Sequence, residues 1–110
     1  MAYDEDLAAR IRDILAPERG LSEKRMFGGL AFLLDGHMVV AVSGQGGLLL
    51  RIDPSRSDDL VANPHAGRMV MRGREMDGWL RVDPPAVETE ERLTEWVSLG
   101  VAYVRTLPPK

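Results

Sequence analysis

Between residues 25 and 52 the apolar positions run almost without interruption, broken only at Gly28-Gly29, Asp35-Gly36 and Gly44-Gln45-Gly46-Gly47. This stretch predicts four strands, over 22–27, 30–34, 38–43 and 48–52, joined by short turns. Asp35-Gly36 is the strongest hairpin signal, because a two-residue type I′ turn needs two left-handed residues. That turn would pair Leu34 with His37. The paired glycines at 28–29 predict a bulge, a bend or a close backbone approach.

The two central strands do not alternate polar with apolar. Leu30, Phe32 and Leu34 share one face, yet Ala31 and Leu33 occupy the other. Met38, Val40 and Val42 likewise oppose Val39 and Ala41. A sheet with one wet face should alternate cleanly, so continuous apolar runs imply that both faces are covered. The predicted helices are too few and short to do that, and a second subunit would supply the missing layer.

Three helices flank the strands. Over 4–16, Leu7, Ile11, Ile14 and Leu15 form one apolar stripe, with Asp4, Glu5 and Asp6 in the first turn, and Arg10, Arg12 and Asp13 on a solvated face. Asp53-Pro54 starts a short helix ending near Asn63-Pro64. Thr89 caps a last helix running to about 107, with Leu93, Trp96, Val97, Gly100, Val101, Val104 and Leu107 on one stripe. Gly100 on that stripe predicts close packing against the sheet. Before this helix, 68–72 and 78–83 read as a second hairpin with 73–77 as its loop. The order is α-β-β-β-β-α-β-β-α, which defines an α+β fold with a mainly antiparallel sheet and flanking helices. At 110 residues it is read as one domain spanning 1–110.

Composition narrows the function more than it specifies it. Cysteine is absent, so neither a disulfide framework nor a thiol nucleophile is available. The acidic N-terminus lacks the basic flank of a secretory signal, and the apolar runs are too short to span a bilayer. The expectation is a soluble cytoplasmic protein without membrane association. A net charge of −3 gives no global footprint for nucleic acid. The 12 arginines against 2 lysines fit a GC-rich coding bias as well as anion recognition.

His37 and His65 lie in or beside loops, without metal-ligand spacing, and are read as exposed. Ser43, Ser55, Ser57 and Ser98 stand in no nucleophile-elbow context, and 44–47 precedes a strand rather than the helix a phosphate loop needs. Asp35, Asp53, Asp58 and Asp59 are read as turn, cap and surface residues. No catalytic, cofactor or metal site is therefore expected. Arg68, Arg72, Arg74, Trp79 and Arg81 cluster on the second hairpin as a candidate interaction surface. Arginine beside an aromatic can contact nucleic acid, but the local surplus of charge is small, and the pattern is read as the polar rim of a protein interface.

The run Lys24-Arg25-Met26-Phe27-Gly28-Gly29-Leu30-Ala31-Phe32 resembles the N-terminal domain of the bacterial TfoX/Sxy family, named for a regulator of natural competence. Met26, Phe27, Gly28, Gly29, Phe32 and Gly36 carry the match, with Leu50-Arg51 where the family has an apolar–basic pair. The resemblance covers nearly the whole chain and implies a two-layer arrangement similar to secretion-chaperone folds, often dimeric, without enzymatic activity or cofactor. Full-length competence regulators have a second domain, so a stand-alone copy is expected here. The expected role is a non-catalytic regulatory or adaptor domain working through protein contacts as a homodimer, its partner drawn from proteins such as the transcription machinery. The alternative is a nucleic-acid-associated regulator using the Arg/Trp face of the second hairpin.

Overall fold

The computed structural model describes residues 3–26, 28–44, 46–71 and 73–108. Phe27 and Arg72, two of the sequence-selected positions, lie outside the described residues. The elements are α1 (Glu5–Leu15), β1 (Leu21–Met26), β2 (Gly29–Leu34), β3 (His37–Val42), β4 (Leu48–Arg51), α2 (Ser57–Leu60), β5 (Ala66–Met71), β6 (Arg74–Val82) and α3 (Glu90–Val104). Short 3-10 turns at Pro54–Arg56 and Pro84–Val87 precede α2 and α3. The fold is α+β in the expected order. Its strands form a sheet ordered β1-β2-β3-β4-β6-β5, antiparallel throughout.

Local chemistry explains the boundaries. Asp4 and Thr89 cap their helices by accepting the backbone N–H of Leu7 and Arg92. Asp35 and Gly36 both take positive φ, 51° and 86°, so the turn is the two-residue type that pairs Leu34 with His37. Asp53 accepts from Ser55 through both backbone N–H and hydroxyl. Those bonds, the backbone one first, hold its carboxyl below the usual range.

One face of the sheet carries the core. Leu30, Phe32, Leu34, Val40, Val42, Leu48, Leu50, Leu80 and Val82 line up across neighbouring strands. Leu7, Ile11 and Leu15 of α1 and Leu93, Val97 and Val104 of α3 close over them. Helix α3 lies on β3 and β4, and α1 packs on α3. A Cβ on Gly100 would come within 2.9–3.1 Å of Val39, Leu50 and the Arg51 carbonyl, the predicted close approach. Arg10 reaches Glu90, and Arg12 makes two bonds to Glu23 while its guanidinium sits 5.9 Å from the Phe32 ring. The expected solvated face of α1 is thus a set of ion pairs to α3 and β1.

Three sequence expectations need correction. A bulge between Phe32 and Leu33 turns Val39 and Val40 both into the core and sends Met38 to the opposite face beside Leu33. Met38 therefore does not share a face with Val40 and Val42. Strand β6 begins at Arg74 rather than Gly78, because Met69↔Met76 and Val70↔Glu75 pairing resumes beyond an irregularity after Arg68. His37 is 8% exposed, not a loop-surface residue. Its Nε2–H donates to the Pro108 carbonyl at 2.6 Å, while Nδ1 is buried without a partner among the described residues.

Candidate functional site

The helices gather on one face of the sheet, so the other is left open. Register places Ala31, Leu33, Met38, Ala41, Leu49, Trp79 and Arg81 on that face. Leu33, Met38, Leu49 and Trp79 are half-buried there with no helix over them. The expectation that both faces are covered is not met within the described residues of one chain.

The open face is hollowed. Met26, Leu33, Met38, Leu49, Met69, Met76 and Trp79 line a pocket of about 370 Å³, with Lys24 and Arg51 also on its wall. Met26 belongs to one edge strand and Met69 to the other. In a flat sheet these strands would stand roughly 24 Å apart, five spacings of about 4.8 Å. Their meeting on one pocket means that the sheet bends around this face. A second, adjoining hollow shares Met26, Met38, Leu49 and Met69 and adds Arg81 and Val70. Val70 is 58% exposed, a large apolar side chain left facing solvent.

Arg51 sits at the end of β4, directly across from Trp79 on β6. Its guanidinium carbon is 5.3 Å from the Trp79 ring centroid and 5.6 Å from that of Tyr103 on α3. The cation is thus within cation–π reach of two aromatic rings, favourable by about 0.5–2 kcal/mol per contact. Leu50, its neighbour, points into the core with no exposure. The apolar–basic pair at 50–51 thus anchors the core and braces the open face.

The other sequence-selected residues divide. Trp79 and Arg81 lie on the open face, and Arg74 shares the strand face of Met76 at the far end of β6. Arg68 pairs across from Leu80 on the helix side and forms an ion pair with Asp58 of α2. The hairpin arginines are therefore not one surface. Phe32 is fully buried, and Gly29 leaves room for the Val42 carbonyl, which a Cβ would meet at 2.1 Å. Gly28 and Gly36 take positive φ at turns. Of these family-matching positions Met26, Gly36 and Arg51 line the pocket. Sequence reasoning missed Lys24, Leu33, Met38, Leu49, Met69 and Met76 as pocket residues. The available signal was the two-sided apolarity of 30–34 and 38–42.

Among the described residues, no group of three or more histidine or carboxylate side chains is placed to hold a metal ion. No helix is long and apolar enough to cross a membrane. Fold and site together define an antiparallel sheet backed by helices on one side and hollowed on the other. The chain belongs to the TfoX N-terminal domain family, whose model matches residues 13–103. Neither the curated proteins nor the solved structures yield a match to it. Membership is consistent with a regulatory or adaptor role.

Proposed function

We propose that this is a non-catalytic regulatory or adaptor domain that works through protein–protein contact on the open face of its sheet, self-association into a homodimer included. The observation behind this reading is the row Leu33, Met38, Leu49 and Trp79, half-buried on a face that no helix crosses among the described residues. Methionine-rich apolar surfaces re-pack around partners because the thioether side chain is unbranched and polarisable, and Met26, Met38, Met69 and Met76 supply such a surface. Family membership is consistent with a regulatory or adaptor role.

Leu49→Glu tests it, since this change puts a carboxylate at the middle of the face and leaves the core cluster untouched. The expected outcome is a dimer by light scattering for the wild type and a monomer of unchanged circular dichroism for the variant. A wild type that stays monomeric, and recovers the same proteins from a native lysate as Leu49→Glu does, overturns the proposal. A second reading, nucleic-acid association, draws on Trp79 and Arg81 sharing the open face. It loses Arg68, which is held by Asp58. Titration of labelled DNA and RNA at two salt concentrations separates the readings, because phosphate contacts give a steep salt slope.

A further inference from the structure

We propose that the pocket between Lys24 and Arg51 binds a small monocarboxylate with an apolar chain or ring. This goes beyond the docking role and does not depend on it. Arg51 makes ring contacts with Trp79 and Tyr103, but among the described residues no oxygen accepts a hydrogen bond from its guanidinium. The N–H groups of a guanidinium radiate in its plane and match a carboxylate two at a time. The two ring contacts hold the Arg51 guanidinium beside the pocket, and no described oxygen takes up its N–H groups.

Lys24, on β1, contributes a second cation to the same wall, and it too has no carboxylate partner among the described residues. Of the other described arginines, Arg10 pairs with Glu90, Arg12 with Glu23, Arg68 with Asp58, and Arg105 with Glu18 and Asp35. Two cations without partners beside an apolar floor are the polar half of an anion site. The floor, built from Leu33, Leu49 and methionines, supplies the apolar half. A volume of about 370 Å³ falls at the lower end of small-molecule pockets, roughly 300–1,000 Å³. The two halves together select an acid with an apolar body over an alcohol, an amine or a bare inorganic anion.

Octanoate is the probe, with 1-octanol and octylamine as controls of equal chain length. Calorimetric titration of the full chain is expected to show saturable octanoate binding, accompanied by a change in tryptophan emission. Trp79→Phe should abolish the emission change, because Trp96 lies in the core. Arg51→Gln should weaken octanoate about tenfold or more, the scale of a lost hydrogen bond to a charged group. Lys24→Glu, at an exposed strand position, should weaken octanoate without affecting folding and should admit octylamine. Absence of saturable octanoate binding overturns the proposal. So does 1-octanol binding as tightly as octanoate, or octanoate affinity unchanged in Lys24→Glu.

Discussion

A Cβ on Gly29 would stand 2.1 Å from the Val42 carbonyl oxygen and 3.3 Å from the Gly44 backbone nitrogen, so a side chain there must push two strands apart. Backbone cannot rotate away as a flexible side chain can. Gly29→Ala is expected to cost about 1–3 kcal/mol, the range for inserting a methyl into a packed site. Thermal unfolding should register it as a fall of roughly 4–8 °C per kcal/mol for a domain near this size. Gly67→Ala is the matched control, since nothing lies within 4 Å of its Cβ position. Its stability should stay within about 0.5 kcal/mol of the wild type. The sequence already marks 28–29 as a place of close approach, because paired glycines inside an apolar run have few other uses. His37 is the opposite case. Its partner is the carbonyl of Pro108, and nothing in the local pattern around a turn histidine points to a residue at the far end of the chain.

Between elements, the ends of α1 and α3 are fastened by ion pairs that no periodicity displays. Arg12 donates to both carboxylate oxygens of Glu23 at 2.6 and 2.9 Å, joining α1 to β1. Arg105, just past α3, donates to Glu18, Asp35 and the Arg19 carbonyl, tying that helix end to the first loop and the hairpin turn. Hydrogen bonding to Arg12 is the first cause that holds the Glu23 carboxyl below its usual range, and the charge of Arg12 acts in the same direction. A carboxyl depressed in the folded state binds its proton less readily there than in the unfolded chain. Its contribution is complete above the ordinary glutamate range and disappears as pH falls through the folded-state value. Denaturant midpoints for wild type and Glu23→Gln should differ near neutrality, by about 0.2–1 kcal/mol for a pair this exposed. They should converge as acid protonates Glu23. A gap that persists under acid would assign the stabilisation to packing of the side-chain stems. Helix and strand order was legible at this scale because apolar spacing and capping residues are local. The bulge at Phe32/Leu33 was not, since it depends on how β3 is received by β2, and it is what moves Met38 across the sheet.

For the molecule as a whole, the decisive asymmetry is that helices cover one face of a sheet whose central strands are apolar on both. Two-sided apolarity could be read in the sequence, but the curvature that brings Met26, Met69 and Met76 onto one pocket could not. It arises from strand twist and irregular register, which accumulate across six strands. The charges around the hollow add a further constraint. Lys24, Arg51 and Arg81 line the two adjoining pockets, and no described carboxylate does. Two copies meeting face to face would bring like charges together across an apolar contact. Such repulsion is screened over about 10 Å at 0.1 M salt and about 3 Å at 1 M, whereas the burial of methionine and leucine side chains is not weakened by salt. A homodimer built on this face should therefore tighten as sodium chloride rises from about 0.05 to 0.5 M. Sedimentation equilibrium at several salt concentrations measures this directly. An acidic partner on the same face would show the reverse slope, because its attraction to Lys24, Arg51 and Arg81 is itself screened. Lys24→Glu sharpens the distinction: it should strengthen self-association at low salt, where the rims repel most, and weaken the hold on an acidic partner. If self-association is instead indifferent to salt and to Lys24→Glu, the copies meet away from this rim, and the open face is free for another occupant.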